Sequence, residues 1–357
     1  MARTEVALVT GFLGSGKTTL INRLLSQPGM ADTAVIVNEF GEIGLDHDLI
    51  AASDDAIVLL PGGCLCCAVR GDLVRTLDDL HRRRAGGTLP AFARVVIETS
   101  GLADPGPVIQ ALLAEPTLRA RYALGNVVAL VDAVNGLATL EAHVEALKQA
   151  AVADRIVLTK LDLARSTPTA AAGAAVLRER LATINPAADV IDVSSAPPVE
   201  TVFGAPSFDR TRSAAGVETW LKWDRYPGRS PAVGESSEPR HDARVRSFCI
   251  VRDAPFTEDA LRLFTEALAK NVGPDLLRVK GIVAVAERPD TPAVLQGAQV
   301  LLHEVAWLDG WPSDDRRTRL VFITLTHTRE DIEALLDVAQ RFSTGAARAR
   351  SSARVRA

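Results

Sequence analysis

The fold of this chain is indicated by one stretch near its start, Gly11-Phe12-Leu13-Gly14-Ser15-Gly16-Lys17-Thr18. A run of β-forming residues at 5–10 precedes the stretch, and a helix-like run at 19–25 follows it. This is the pattern G-x-x-x-x-G-K-[ST] in the strand, loop and helix context that a phosphate-binding loop requires. The sequence therefore predicts a nucleoside triphosphate site at the end of the first strand.

The residue types of this loop suit a triphosphate and its magnesium ion. Glycines let backbone N–H groups close around the phosphates, and the helix N-terminus adds positive potential. Lys17 is expected to reach the β- and γ-phosphates, and the Thr18 hydroxyl is expected to ligate Mg²⁺. The expected nucleotide contacts of this segment are Gly11, Gly14, Ser15, Gly16, Lys17, Thr18 and Thr19.

An acidic residue ends a later apolar strand at residues 94–97, and the segment that follows is Glu98-Thr99-Ser100-Gly101. Glu98 is expected either to act on Mg²⁺ through water or to orient the attacking water, and the Gly101 N–H is expected to meet the γ-phosphate. With Lys17, these two residues are the predicted catalytic groups.

A third segment points to guanine as the base. A buried strand ends in Thr159-Lys160-Leu161-Asp162. Asp162 can accept from the N1–H and 2-amino groups of guanine, while the Lys160 stem lies over the base; adenine has no such donor pair, so GTP is favoured over ATP. Thr159 replaces the usual Asn, which predicts the loss of an amide that braces the phosphate loop. Ser195, after a strand at 190–194, is expected to close over the base.

Two segments between these motifs carry candidate metal ligands. Residues 62–67, Gly-Gly-Cys-Leu-Cys-Cys, hold three of the four cysteines, and a helix-like run at 72–84 follows them, whose dipole favours thiolates. Cys64, Cys66 and Cys67 supply two or three soft ligands, an arrangement unlike a zinc ribbon. Redox chemistry and inert packing remain alternatives at this point. Cys249 stands alone in an apolar strand pattern and is interpreted as a buried hydrophobe.

The loop at 38–46 follows an apolar strand and contains Glu39 and Glu42, the nearest candidates to complete the cysteine site. Ligands of open α/β sheets bind beyond the carboxyl ends of the strands. We therefore interpret 38–46 as a nucleotide-sensing switch loop, with an acidic, solvent-facing loop as the alternative.

Alternating strands and helices predict an α/β fold, a doubly wound and mostly parallel sheet of the P-loop NTPase type, followed by a smaller α+β domain. The predicted boundaries are a nucleotide-binding domain at 1–205, a linker at 206–240 with a short helix at 217–223, an α+β domain at 241–345 and a basic flexible tail at 346–357. Strands of the second domain are expected at 244–251, 277–286, 293–300, 302–307 and 319–324, and helices at 257–270 and 329–342.

The composition of the chain limits the partners and the cell compartment that we expect for it. The chain has 357 residues, 47% of them hydrophobic, and a net charge of -4, so it has no electrostatic footprint for nucleic acid. A run of about 18 apolar residues, as a membrane helix needs, is missing from the sequence. We expect a cytoplasmic protein, whose clustered cysteines are reduced and bind metal or act in redox chemistry.

Together these motifs resemble the CobW-type GTPases, members of the SIMIBI class of P-loop proteins that are regarded as metal chaperones or metal-insertion factors. The resemblance rests on the sequence at 11–20, 37–46, 62–67, 98–105, 159–162, 279–281 and 311–323. It implies that Cys64, Cys66 and Cys67 bind Zn²⁺ or Co²⁺ and that Glu39 and Glu42 lie close to the metal. Many members carry a His-rich tract, whereas residues 225–241 hold a single His, which argues against metal storage.

The function that follows is a GTP-hydrolysing metallochaperone that delivers Zn²⁺ or Co²⁺ to a client metalloprotein or a cofactor-biosynthesis enzyme. GTP with Mg²⁺ is expected to order the loop at 38–46, and hydrolysis is expected to release it. The alternatives are a regulatory GTPase with a structural metal and an ATP-using kinase or ligase with reactive cysteines. Because the sequence has no clear arginine finger, a client or a second copy in a homodimer is expected to complete the hydrolytic site.

Overall fold

The computed structural model describes residues 3–37, 57–59, 68–193, 197–204, 216–226, 244–298, 301–302 and 305–354. The chain divides into two compact units, Met1–Ser207 and Phe208–Ala357. None of the helices in these ranges is both long enough and apolar enough to cross a lipid bilayer.

The first unit alternates strands and helices along the chain. In order, its elements are β1 (Thr4–Gly11), α1 (Lys17–Leu25), β2 (Thr33–Val37), β3 (Ile57–Leu59), α2 (Ala68–Ala85), β4 (Arg94–Glu98), α3 (Gly106–Ala114), α4 (Pro116–Arg121), β5 (Tyr122–Asp132), α5 (Gly136–Ala142), α6 (Val144–Val152), β6 (Arg155–Thr159), α7 (Leu161–Ala164), α8 (Pro168–Ile184), β7 (Asp189–Asp192) and α9 (Val199–Val202).

The strands of this unit form one parallel sheet, which confirms the predicted doubly wound architecture. Its seven strands lie in the order β3-β2-β4-β1-β5-β6-β7, and every pair is parallel. Parallel strands direct their carboxyl ends to one edge of a sheet. The segments that follow β1, β4, β5 and β6 therefore meet at that edge.

The core of the first unit explains why its strands read as continuous apolar runs. Val6, Ala7, Leu8 and Val9 of β1 are all 0% exposed, because helices cover both faces of the sheet. Leu20, Ile21 and Leu24, on one side of α1, pack against this sheet. Each such side chain contributes about 1.5–3 kcal/mol by leaving water, so α1 is held firmly behind the phosphate-binding loop.

The second unit is an antiparallel sheet with two long helices, in agreement with the α+β prediction. Its elements are α10 (Val217–Leu221), a 3-10 turn (Trp223–Arg225), β8 (Arg246–Arg252), α11 (Glu258–Asn271), β9 (Leu276–Val285), β10 (Arg288–Ala298), β11 (Leu301–Leu302), β12 (Ala306–Trp307), β13 (Thr318–Thr324) and α12 (Arg329–Arg354). The strand order is β11-β10-β9-β13-β8, and β12 pairs with β10.

One face of this sheet carries the apolar core of the second unit. Phe264 of α11 and Leu336 of α12 pack there with Phe248 and Phe322 of the sheet, and all four lie in one buried cluster. Cys249 is 0% exposed, and burial raises the pKa of its thiol to about 11. Its interpretation as a buried hydrophobe is confirmed.

Several segments differ from what their sequence predicts. The sequence at 136–150 predicts one helix, but this region forms two, because His143 adopts an extended conformation between α5 and α6. The last helix runs to Arg354, into the region predicted as a flexible tail from 346. Within the predicted linker, α10 buries Val217, Trp220 and Leu221, so this segment is packed into the second unit rather than solvated.

Candidate functional site

The phosphate-binding loop has a backbone that only glycine adopts without strain. Gly11, Gly14 and Gly16 have φ values of 144°, 70° and 92°, a region that side chains with a Cβ rarely occupy. A Cβ on Gly11 would lie 2.5 Å from the carbonyl oxygen of Leu130 in β5. The loop therefore closes tightly over the sheet, and its N–H groups gather at the N-terminus of α1, where anions bind.

Lys17 lies folded along this loop. Its Nζ donates to the carbonyl oxygens of Gly11 at 3.0 Å and Phe12 at 3.3 Å, and the residue is only 8% exposed. A buried ammonium group needs such hydrogen bonds. The charge is therefore held at the loop that is predicted to bind phosphate.

Thr18 and Glu98, the two residues predicted to act at magnesium, contact each other. The Thr18 hydroxyl donates to Oε1 of Glu98 at 2.8 Å, and Glu98 is 4% exposed. Strand register produces this contact, since Val9 of β1 pairs with Glu98 at the end of β4. A hydroxyl and a carboxylate are hard oxygen donors, the kind that Mg²⁺ binds, so the pair fits that ion.

Gly101 lies directly against the turn of the phosphate-binding loop. A Cβ at Gly101 would be 2.7 Å from the backbone nitrogen of Leu13, so the two backbones are in contact. The preceding segment is fixed by Thr99, whose N–H donates to the carbonyl of Val9 at 2.9 Å. The structure thus brings Gly101 beside the loop, as its predicted role requires.

Thr159 corrects one expectation from the sequence. Its hydroxyl donates to the carbonyl oxygen of Ser15 at 2.8 Å in a buried environment. The phosphate-binding loop is therefore braced by a hydroxyl where an Asn would use its amide. The amide is absent, as predicted, but a brace remains, because the shorter side chain still reaches the loop from the end of β6.

Lys160 and Asp162, the two residues predicted to recognise the base, lie at the start of α7. Lys160 has φ 55° and precedes α7, and Asp162 is exposed in the first turn of that helix. Nζ of Lys160 donates to Oδ2 of Asp132 at 2.7 Å. These two residues are held at the same sheet edge as the phosphate-binding loop.

Asp132 lines the same edge of the sheet, although its sequence context predicts no role for it. Burial opposes ionisation of its carboxyl, but hydrogen bonds from Lys160 and from the Val134 and Asn135 backbone outweigh that effect and lower its pKa. The signal that could have identified it is its position, immediately after the buried part of β5 and at the ligand-binding edge.

A cleft of about 280 Å³ lies beside the phosphate-binding loop. Its lining includes Phe12 and Ser15 from the loop, Asp132 and Lys160 from the strand ends, and Gln149 from α6. The Phe12 ring also stacks on His143, with ring centroids 4.4 Å apart. The cleft therefore extends the phosphate-binding site towards α5 and α6.

The predicted metal ligands Glu39, Glu42, Cys64, Cys66 and Cys67, and the predicted base contact Ser195, lie outside the described residues. Among the residues that are described, no group of three or more His, Cys, Asp and Glu side chains is placed to hold a metal ion. The strands that lead to these segments are described. Val37, the last residue of β2, pairs with Leu59 of β3 on one side and with Glu98 of β4 on the other.

The chain matches two protein-family models. Residues 5–192 match "CobW/HypB/UreG, nucleotide-binding domain", and residues 245–340 match "Cobalamin synthesis protein cobW C-terminal domain".

Relatives of the full chain carry related names. The zinc chaperone YjiA of Escherichia coli is 33% identical over 330 residues, which span 92% of this chain and 96% of YjiA. The zinc-regulated GTPase metalloprotein activator 1 of Dictyostelium discoideum is 27% identical over 90% of this chain and 76% of its own length. A crystal structure of Zn(II)-bound YjiA GTPase from E. coli has a TM-score of 0.70, with 29% identity over 95% of this chain and 99% of YjiA. The chain belongs to the CobW/HypB/UreG family.

Proposed function

We propose that this protein hydrolyses GTP and uses the nucleotide cycle to control a zinc ion that it transfers to a client metalloprotein. GTP hydrolysis is supported above all by the 2.8 Å hydrogen bond between Thr18 and Glu98, which joins the phosphate-binding loop to the acidic end of β4. The zinc part is supported by the cysteine motif at 62–67 and by the names of the relatives, zinc chaperone YjiA among them.

In the proposed mechanism, the loop N–H groups and Lys17 hold the β- and γ-phosphates. Thr18 and Glu98 would hold Mg²⁺, which when bound neutralises charge on the phosphate oxygens. Glu98 also orients the attacking water, and the Gly101 N–H receives the γ-phosphate. Water attacks the γ-phosphorus, the bond to the bridging oxygen breaks, and GDP and phosphate leave.

Guanine recognition is assigned to Asp162 and Lys160. The carboxylate of Asp162 accepts from the N1–H and 2-amino groups, and the Lys160 stem covers the base. The ion pair with Asp132 supports this assignment, because a lysine held at 2.7 Å pays less entropy when the base binds.

The order of the strands supports coupling between nucleotide and zinc. Glu98, Val37 and Leu59 are neighbours across β4, β2 and β3. The loop after Glu98, the loop at 38–46 and the cysteine motif at 62–67 follow these three strand ends in the sequence. We propose that the loop at 38–46 responds to the γ-phosphate and alters the zinc site formed by Cys64, Cys66 and Cys67, with Glu39 or Glu42 as a further ligand. Thiolates favour Zn²⁺ over Mg²⁺, which keeps the two ions at separate sites.

We also propose a cytoplasmic location for this protein and a partner that completes its hydrolytic site. Three thiolates stay available for zinc only under reducing conditions, which supports a cytoplasmic location. A client protein, or a second copy of this chain, is proposed to complete the hydrolytic site and to raise its turnover.

Zinc release during turnover tests the proposal. Zinc-loaded protein is mixed with a chromophoric chelator, and release is followed with GTP, a non-hydrolysable GTP analogue, ATP or no nucleotide. We expect GTP to change the release rate, and Glu98→Gln, which prevents hydrolysis, to abolish the difference between GTP and its analogue. A rate of zinc release that is the same with every nucleotide and without nucleotide would favour a regulatory GTPase with a structural metal. An equal response to ATP would favour the kinase or ligase alternative.

A further inference from the structure

Helix α6 holds the loop that follows Glu98. Gln149, in the middle of α6, is 2% exposed. Its Nε2 donates to the carbonyl oxygen of Gly101 at 3.2 Å and to that of Ala103 at 3.0 Å. Two carbonyl acceptors fix the orientation of the amide, because only the NH₂ end can donate to both.

The preceding residue of α6 holds the same loop at a second point. Nζ of Lys148 donates to Oδ2 of Asp104 at 2.8 Å, and Oδ1 of Asp104 accepts from the N–H of Gly106 at 2.9 Å, where α3 begins. Two consecutive residues of α6 therefore hold the loop at 101–104, through Gly101, Ala103 and Asp104.

Gly101 of this loop also lies directly against the backbone of the phosphate-binding loop. A Cβ on Gly101 would lie 2.7 Å from the Leu13 nitrogen and 2.8 Å from the Leu13 Cα. Gly101 thus contacts both the backbone at Leu13 and the Gln149 amide. Loss of the amide removes one of these two contacts that position Gly101.

We propose that Gln149 is a positioning residue for GTP hydrolysis: by binding the Gly101 carbonyl, it keeps Gly101 where its N–H can receive the γ-phosphate. The inference rests on the proposed GTPase function. Since only GTP has a γ-phosphate, Gln149 should matter for GTP and for the hydrolytic step, and it should matter little for GDP.

Gln149→Leu removes the amide at similar volume, and Asn185→Leu is its matched control. Asn185 is also 2% exposed, and its Nδ2 donates to the carbonyls of Ala150, Ala151 and Ala153 at 3.0, 3.0 and 2.8 Å. Both substitutions delete a buried amide that binds backbone carbonyls, and Asn185 binds the C-terminal end of the same helix. A general loss of stability should therefore be similar in the two variants, while only Gln149→Leu releases the loop.

The measurements are steady-state GTP turnover, the affinities for GDP and a non-hydrolysable GTP analogue, and Tm. For Gln149→Leu we expect kcat and the preference for the analogue over GDP each to fall about 10-fold, the equivalent of one or two lost hydrogen bonds, with GDP affinity within about 2-fold of wild type. For Asn185→Leu we expect a similar fall in Tm with both nucleotide parameters close to wild type.

If Gln149→Leu does not fold, Lys148→Met, which removes the partly exposed ion pair with Asp104, is the second test variant. We expect it to lower the preference for the GTP analogue over GDP about 3-fold. An unchanged preference in the folded Gln149 or Lys148 variant, or an equal change in Asn185→Leu, would overturn the inference while leaving the proposed function intact. Wild-type protein that does not hydrolyse GTP would overturn both.

Discussion

At the scale of single residues, Thr159 shows how a departure from a motif can preserve its function. The hydroxyl reaches the Ser15 carbonyl at 2.8 Å, so the loop keeps a brace although the residue type has changed. Sequence alone does not predict this, because the contact depends on how close β6 approaches the loop, and that distance is a property of the packed sheet. The order of the motifs, by contrast, is sufficient to predict that both residues lie at one edge.

Thr159→Val tests the brace. Valine keeps the shape of threonine but cannot donate, so the Ser15 carbonyl loses a buried hydrogen bond worth about 1 kcal/mol. We expect GDP and GTP affinities to fall together, by about 5-fold, in titrations with fluorescent nucleotides.

The control for this change is Thr183→Val. The Thr183 hydroxyl donates to the Glu179 carbonyl within α8 at an exposed position, and its loss should leave nucleotide affinity unaltered. Equal affinities for wild type and Thr159→Val would show that the hydrogen bond does not support the nucleotide site.

The residues that we propose to position the loop at 101–104 could not be predicted from the sequence, for a related reason. Gln149 and Lys148 contact a loop 44 to 48 residues away in the chain, and no motif marks them. That Lys17, Thr18, Glu98 and Gly101 lie at one edge could be predicted, because their spacing is set by the geometry of a strand, loop and helix. The residues of the motifs are thus visible in the local sequence, and the contacts that support them are not.

At the scale of elements, burial decides which segments could be predicted. Strands β1 and β4 are covered on both faces and have continuous apolar sequences, so their predicted bounds differ from the structure by one residue at most. Helix α8 gave no clear pattern, because alanines occupy both its exposed and its packed faces. Only Ala174, Leu177, Leu181 and Ile184 of that helix are buried.

The segment at 216–226 makes aromatic contacts with two cations of the sheet, which could not be predicted from its composition. The ring of Trp220 lies 4.9 Å from Nζ of Lys280 in β9, and the ring of Trp223 lies 5.4 Å from the guanidinium carbon of Arg319 in β13. Both cations are nearly buried, at 3% and 1% exposure. Because charged residues within strands normally indicate a solvated face, the sequence does not reveal that an aromatic segment covers them.

Trp220→Ala should therefore destabilise the second unit. The substitution removes a buried indole, which typically costs about 3–5 kcal/mol, and uncovers the Lys280 ammonium. Urea unfolding followed by circular dichroism measures the loss.

Trp311→Ala is the matched control, since Trp311 lies in a partly exposed loop and donates from its ring nitrogen to the Pro289 carbonyl. We expect it to cost less than about 1.5 kcal/mol. Similar losses in the two variants would contradict the covering role of Trp220.

At the scale of the whole molecule, the central claim is that the state of the nucleotide sets the affinity for zinc. The strand order brings Glu98, Val37 and Leu59 together, and these residues lead from the phosphate site to the two segments that carry the predicted ligands. Such coupling is reciprocal, so zinc must change GTP affinity by the same factor as GTP changes zinc affinity.

The most direct test is the zinc Kd, measured by competition with a chelator of known affinity, in the presence of a non-hydrolysable GTP analogue, GDP or no nucleotide. We expect the analogue and GDP to give zinc affinities that differ by about 5- to 150-fold, the usual range of coupling between sites. We also expect zinc to shift the affinity of the analogue, relative to that of GDP, by the same ratio. The same zinc Kd in all three nucleotide states would show that the nucleotide does not control zinc binding.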